Sequence, residues 1–373
     1  MAEQVGTVAS ATALADFALT LHRAAAPASD RAACWSPYSV AVALGLGATA
    51  ASGPTRDELL AALTGAPDGS VDALARLLGQ AAELNPDDAE LHLASTAWVR
   101  EDVEVAGDFA AALARWPSGA VRAFGADLAQ ARRRINTDVA ELTRGLIPEL
   151  IGDGTLGPRT IAVLVSALYL KAAWSHPFDQ RSTRPRRFDA PSGPVQVPTM
   201  ELVTDLAYTR TDHWQVVTLP ARGGVEAVIL LPHGPLDTAE AALSATELMD
   251  NPGRSRPVRL RLPRLRLEWS AGLSMPLAAL GVRRLFDPKR ADLSGLTALR
   301  PAWVDDVVHR AVLRIDEQGL EGAAATAVIV AMRALLMTPP EPLLVEVDRP
   351  FLLLVRHRRT GAIYFMARVT DPS

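Results

Sequence analysis

The sequence predicts an α+β fold in which helices precede strands. Up to about residue 151 the apolar residues recur at three- and four-residue spacing, which is typical of amphipathic helices. After about residue 160, short apolar runs rich in β-branched residues predict strands. The pattern lacks the regular alternation of strand and helix of a doubly wound sheet, and neither repeats nor a low-complexity linker divide the chain. We therefore expect one domain spanning residues 1–373.

Five segments predict the helices of the first part. A helix-start signal, Ser36 followed by Pro37 at the first helical position, opens the second of them. The N-terminal segment lacks a basic region, so we interpret it as a helix and not as a signal peptide, which leaves the cytoplasm and a non-classical export route both open. The segments are ATALADFALTLHRAA (11–25), SPYSVAVALGLGATA (36–50), PTRDELLAALTG (54–65), SVDALARLLGQAAEL (70–84) and INTDVAELTRGLIPELI (135–151).

Strand patterns lie between and after these helices. The last of them contains two apolar runs separated by Arg358, Arg359, Thr360 and Gly361, which predicts a hairpin. The predicted strands are ELHLASTAWVR (90–100), IAVLVSALYL (161–170), QVVTLP (215–220), VEAVILLP (225–232), LLVEVD (343–348) and PFLLLVRHRRTGAIYFMARV (350–369).

A basic stripe runs through PVRLRLPRLRLEW, residues 257–269. Leucine and arginine alternate there, and the phase shifts by one residue at Pro263, as a bend or bulge would require. The arginines are then expected to share one face, which is either a solvated strand face or a site for a polyanion such as heparin or nucleic acid. The arginines concerned are Arg254, Arg256, Arg259, Arg261, Arg264 and Arg266.

The composition limits the chemistry. A net charge of −4 gives no overall field for nucleic acid or an anionic membrane, and we expect neither as a partner. Cys34 is the only cysteine, which excludes an intrachain disulfide and a CxxC redox pair. The seven histidines show no metal-binding spacing, and no nucleophile elbow or P-loop is present. We expect neither a metal nor a cofactor, and the chain lacks the signature of an enzyme.

One glycine pattern resembles a nucleotide-binding turn. GLGATA places Gly45, Gly47 and Ala50 at the spacing that lets a backbone approach a pyrophosphate. That motif must follow a strand and open a helix, whereas this one follows the helix start at Ser36. We therefore interpret it as part of a buried helix.

Four segments, in this order along the chain, resemble the motifs of the serpin family. They are SPYSVAVALGLGA (36–48), VLVSALYLKAAW (163–174), DVVHRAVLRIDEQGLEGAAATA (306–327) and DRPFLLLVRHRRTGAIYFMARV (348–369). The resemblance implies three β-sheets with eight or nine helices, and an exposed reactive loop at about residues 319–342 above a large five-stranded sheet. It also implies a covalent acyl complex with a serine protease, whose cut loop enters that sheet as a new strand.

The resemblance explains an ambiguous stretch, EGAAATAVIV (321–330), which mixes alanines that favour helix with β-branched residues that favour strand. In the family this stretch changes state. Alternate residues of an inserted strand would turn inward, and this set carries no charge, whereas Glu321 falls in the outward set. Such a hinge favours an inhibitor over a non-inhibitory carrier or scaffold. The hinge comprises Gly319, Leu320, Glu321, Gly322, Ala323, Ala324, Ala325 and Thr326, and the inward set comprises Leu320, Gly322, Ala324, Thr326, Val328, Val330 and Met332.

The family's spacing predicts the bond that a protease cuts. Counting fourteen positions from the hinge glycine gives Arg333 and Ala334, which implies a trypsin-like target with an acidic pocket. Matching the prolines beyond the cut instead gives Leu336 or Met337, which implies a chymotrypsin-like or elastase-like target. We prefer the count from the hinge, because the length of the inserted strand sets how far the protease is carried.

The same motifs imply which residues must part when the strand enters. Ser36, Ser39 and His309 correspond to a hydrogen-bonded latch, and Trp174 corresponds to a position near the top of the sheet. Ser166 stands where the family usually has asparagine. A hydroxyl offers fewer hydrogen bonds than an amide, so we expect a weaker or water-bridged latch.

Overall fold

The structure is a computed structural model that describes residues 2–158, 160–249, 253–320 and 341–373. Nine α-helices lie in these ranges: α1 Ala2–Ala25, α2 Pro37–Ala50, α3 Gly53–Thr64, α4 Val71–Ala82, α5 Phe109–Leu113, α6 Leu128–Leu142, α7 Leu236–Ala242, α8 Ala245–Met249 and α9 Ser274–Ala279. None of the helices in the described ranges is both long and apolar enough to cross a membrane.

The described ranges also contain fifteen strands. They are β1 Ala33–Trp35, β2 Ala89–Arg100, β3 Gly119–Phe124, β4 Ala162–Ala173, β5 Arg184–Ala190, β6 Gly193–Arg210, β7 Trp214–Pro220, β8 Val225–Pro232, β9 Arg254–Pro263, β10 Leu265–Gly272, β11 Val308–Ile315, β12 Gly319–Leu320, β13 Leu343–Glu346, β14 Phe351–His357 and β15 Ile363–Val369. The α+β prediction is confirmed, since four long helices precede most of the strands.

The strands form two hydrogen-bonded units. One has the order β10-β11-β12-β4-β2-β3, and the other has the order β1-β15-β14-β8-β7-β6-β9-β13 with β5 paired to β6. Three sheets were expected, and the second unit accounts for two of them because the 18-residue β6 runs through both. The early part of β6 pairs with β5 and β9, and its end pairs with β7.

Helix α2 lies at the centre of the molecule. Ser36 caps it by accepting a hydrogen bond from the Ser39 amide, and nearly every residue of the helix is buried. Gly45 faces Trp116, where a Cβ atom would come within 2.0 Å of the ring. The interpretation of GLGATA as part of a buried helix is confirmed, because its glycines serve close packing.

The chain after Leu142 departs from the predicted helix. Residues 135–151 were expected to be helical, but α6 begins earlier and ends at Leu142. Arg144 and Gly145 take φ values of 51° and 80°, which a helix cannot continue. The remaining residues instead cross the six-stranded sheet, where Ile147 and Ile151 pack with α6 in a second core.

The arginine stripe is divided between the two units. The bend near Pro263 is confirmed, because β9 ends there and β10 starts at Leu265 in the other sheet. The prediction of one shared arginine face is wrong for this reason. Arg254 and Arg256 are exposed, whereas the other four arginines bind carboxylates: Arg259 and Arg261 bind Glu201, Arg264 binds Glu317, and Arg266 binds Glu268.

Candidate functional site

The candidate site is the line between β11 and β4, where the short strand β12 is inserted. Leu320 pairs with Ile315 on one side and with Ala172 on the other, and both pairings are antiparallel. Gly319 pairs with Ala173. Leu320 is 0% exposed. The first hinge residue is therefore already a strand residue of this sheet, and its apolar side chain joins the main core.

Gly319 is required by the closeness of β4. A Cβ atom at this position would lie 2.2 Å from the carbonyl oxygen of Ala172 and 2.9 Å from the Cα atom of Ala173. Both neighbours are backbone atoms that cannot move aside cheaply. A larger residue would separate β12 from β4 at the point where the hinge enters the sheet.

Backbone and indole hydrogen bonds hold the turn before β12. Trp174 is buried, its indole Nε1 donates to the Asp316 carbonyl at 2.8 Å, and its backbone amide donates to the Gln318 carbonyl at 2.9 Å. The Phe178 amide donates to the Glu317 carbonyl at 2.9 Å. Trp174 lies at the top of the sheet, beside the hinge.

Glu317 forms a second attachment in the same turn. Its buried carboxylate accepts a forked pair of hydrogen bonds from Arg264, with Nη2 to Oε1 at 2.7 Å and Nε to Oε2 at 3.0 Å, and a further bond from the Thr183 hydroxyl. Burial alone would raise the pKa of Glu317, but the bonds from Arg264 and Thr183 outweigh it and lower that pKa. Our sequence analysis missed this pair, because it assigned Arg264 to a basic stripe.

A buried serine–histidine cluster lies further down the same strands. The Ser36 amide donates to His309 Nε2 at 3.0 Å, which joins the start of α2 to β11. The Ser166 hydroxyl donates to the Ser39 carbonyl at 2.7 Å and accepts from the Ser39 hydroxyl, which joins α2 to β4. Four residues predicted to form a latch are thus brought together, and α2 is attached to both sides of the line.

The cluster leaves two polar atoms without a partner. Burial lowers the pKa of His309 to about 4, so the ring is neutral at pH 7. Because Nε2 accepts from Ser36, the ring proton is on Nδ1, and this buried atom has no hydrogen-bond partner within the described residues. The buried Ser95 hydroxyl, on β2 opposite Ser166, is also unpartnered there. Ser166 bonds to Ser39 and not to His309.

The structure therefore describes the two latch regions and the first two hinge residues. The remaining predicted residues lie outside the described ranges: Glu321, Gly322, Ala323, Ala324, Ala325 and Thr326 of the hinge, the Arg333–Ala334 bond, and its alternatives at Leu336 and Met337.

Comparisons with known proteins agree with this arrangement. Residues 12–372 match the family described as Serpin (serine protease inhibitor). Iripin-8 of Ixodes ricinus is 31% identical over 92% of this chain and 89% of its own length. Plasminogen activator inhibitor 1 of Neovison vison is 30% identical over 96% of this chain and 92% of its own. A solved structure of thyroxine-binding globulin in complex with thyroxine superposes with a TM-score of 0.86 at 25% identity, covering 97% of this chain and 99% of the other.

Proposed function

The chain belongs to the serpin family, and from this premise we propose that it is a suicide-substrate inhibitor of trypsin-like serine proteases. The protease would cut the loop at Arg333–Ala334 and be trapped as a covalent acyl complex when the cut loop enters the sheet between β11 and β4. In this account the chain is a substrate that arrests the protease, not a catalyst.

The observation that carries the proposal is the pairing of Leu320 with both flanking strands. Leu320 faces Ile315 and Ala172, so a strand continuing the same antiparallel register would advance while its partners recede. Six residues further on, Thr326 would face His309 on β11 and Ser166 on β4. The inserting segment is thus in register with the serine–histidine cluster.

This register gives the unpartnered histidine nitrogen a partner after insertion. Residues directly opposite in adjacent strands point to the same side of a sheet, so Thr326, His309 and Ser166 would all face α2. The Thr326 hydroxyl can accept the proton that His309 Nδ1 carries. A buried donor that is unsatisfied before insertion and satisfied afterwards favours the inserted form by about 1–3 kcal/mol.

The rest of the inward set also suits its surroundings. Ala324 would face Ala311 and Leu168, both of which are buried and apolar. About a dozen new backbone hydrogen bonds, each worth roughly 1 kcal/mol net, would contribute on the order of 10 kcal/mol. That free energy is sufficient to displace and distort an attached protease.

A mixture with trypsin tests the proposal. We expect an SDS-resistant complex and release of a C-terminal fragment that begins at Ala334. Arg333→Ala should slow trypsin inhibition by orders of magnitude, because it removes a charge-assisted contact in the acidic pocket. Chymotrypsin and elastase serve as controls and should react poorly with the wild type.

The outcomes separate the alternatives. Reaction with chymotrypsin-like enzymes alone, with a fragment that begins at Met337 or Thr338, would keep the inhibitor and overturn the choice of bond. Plain cleavage by every protease would contradict inhibition and indicate a carrier or scaffold, a class that the likeness to thyroxine-binding globulin makes worth testing.

A further inference from the structure

The outer face of the sheet formed by β13, β9 and β6 carries an unusual row of side chains. Leu344 on β13 pairs with Arg259 on β9, and Arg259 pairs with Val203 on β6. Residues paired in this way project from the same face of a sheet. The neighbours Leu260 and Val345 point the other way and are buried, so the row of three faces outward.

This row concentrates exposed apolar surface. Val203 is 51% exposed and Leu344 is 46% exposed. Within the described ranges they belong to a group of four strongly exposed large apolar residues, of which Met275 and Leu299 lie elsewhere. The two residues of the row flank a single guanidinium. We call Val203, Arg259 and Leu344 the outer patch.

The outer patch also has excess positive charge. One carboxylate, that of Glu201, accepts hydrogen bonds from three guanidinium groups, and Glu346 accepts from one of the same three. Three positive and two negative charges leave one positive charge beside the apolar pair. The side chain of Arg259 is 40% exposed and is the arginine of this group most open to a partner. A partner that offers a carboxylate beside an apolar side chain fits this surface.

The position of the patch indicates what covers it. Strand β13 begins at Leu343, nine residues after the predicted cut at Ala334. An extended chain of nine residues spans at most about 30 Å. A protease domain of about 200 residues has a radius of gyration of roughly 16 Å, so a protease bound at the cut extends to the neighbouring sheet face.

We propose that the outer patch is a docking surface for the protease that attacks the loop, which it contacts through an apolar side chain and an adjacent carboxylate. This inference rests on the proposed function, since it needs a protease on the loop. The patch adds contacts outside the protease's substrate cleft and so speeds the encounter, whereas trapping depends on events after acylation.

The test compares the double variant Val203→Ser plus Leu344→Ser with the wild type, using trypsin as the probe. Met275→Ser is the matched control, because Met275 is 80% exposed on α9, away from the patch. We expect the second-order rate constant of trypsin attack on the loop to fall about tenfold in the double variant and to stay unchanged in the control. The number of inhibitor molecules consumed per trypsin trapped, and the melting temperature, should not change.

The readouts keep this inference distinct from the proposed function. A rate within twofold of the wild type overturns the docking surface, even if the covalent complex forms. If wild-type loops are cut without trapping, the proposed function fails, but a tenfold slower cut in the double variant still supports the patch. Loss of a wild-type dimer in the double variant, with an unchanged trypsin rate, would assign the patch to contacts between copies of the chain and overturn the inference.

Discussion

Strands β14 and β15 are buried at every position, and each pairs on both sides, whereas the described residues place between β11 and β4 only the two-residue strand β12. The buried polar groups of the hairpin are also satisfied. Arg356 binds Glu226, Arg368 binds Glu240, and His357 Nδ1 contacts the Thr360 hydroxyl.

The serine–histidine cluster differs from the hairpin in this respect. His309 Nδ1 and the Ser95 hydroxyl are buried without a partner in the described part of the chain. An unsatisfied buried group costs about 1–3 kcal/mol, so the cluster is less stable than its burial suggests. The difference teaches that one sheet is complete, whereas the other keeps hydrogen-bonding capacity for a strand that enters later.

The largest expected effect comes from blocking that entry. Ala324→Arg would force a guanidinium against Ala311 and Leu168, where no carboxylate compensates its burial. The loop should still be cut by trypsin while the SDS-resistant complex disappears. Ala323→Arg, in the outward set, is the matched control and should trap better. Trapping by Ala324→Arg at wild-type stoichiometry would show that the inward phase is wrong.

The second prediction concerns acid. Burial lowers the pKa of His309 from 6.5 to about 4, so the unfolded chain binds more protons than the folded chain between these values. The contribution of His309 to the free energy of unfolding is therefore complete above pH 6.5 and is lost as the pH falls through 4, a change of about 3 kcal/mol.

Urea unfolding of the intact chain at several pH values measures this loss. Burial also lowers the pKa of His22 and of His357, which act in the same direction. His309→Gln should therefore flatten the pH dependence between 6.5 and 4 without abolishing it. His357→Gln, in the hairpin, is the comparison variant and should flatten it less. Equal slopes for His309→Gln and the wild type would contradict the buried neutral histidine.

A smaller effect is expected from completing the cluster. Ser166→Asn supplies a longer amide that can accept from His309 Nδ1, which should stabilise the intact form by about 1 kcal/mol. Heat inactivation of inhibitory activity should then slow about fivefold. Ser166→Ala, which removes the bonds to Ser39 and adds no reach, should speed it. If both variants are inactivated at the same rate, the unpartnered histidine nitrogen does not limit stability.

Local signals predicted the parts of the fold that local sequence controls. The hairpin follows from two apolar runs around a Gly361 turn, where φ is 73°, and α2 follows from its Ser36 cap. The end of α6 was missed, because two consecutive left-handed residues, Arg144 and Gly145, stop a helix whose apolar spacing continues to Ile151.

Contacts between distant segments could not be predicted in this way. Arg264 and Glu317 are 53 positions apart, and the arginine alternates with leucines as any exposed strand residue would. Ser39 and Ser166 are 127 positions apart. The family motifs brought the latch residues to attention, but only the structure identifies which of their atoms are bonded and which are not.

Calorimetry of the chain before and after a cut tests the central claim most directly. A non-target protease that cuts within residues 327–337 frees the segment to enter between β11 and β4, and Ala324→Arg cut at the same bond is the control. We predict that the wild type melts at a markedly higher temperature once cut, whereas the control gains little. An unchanged or lower melting temperature of the wild type after a confirmed cut would contradict insertion.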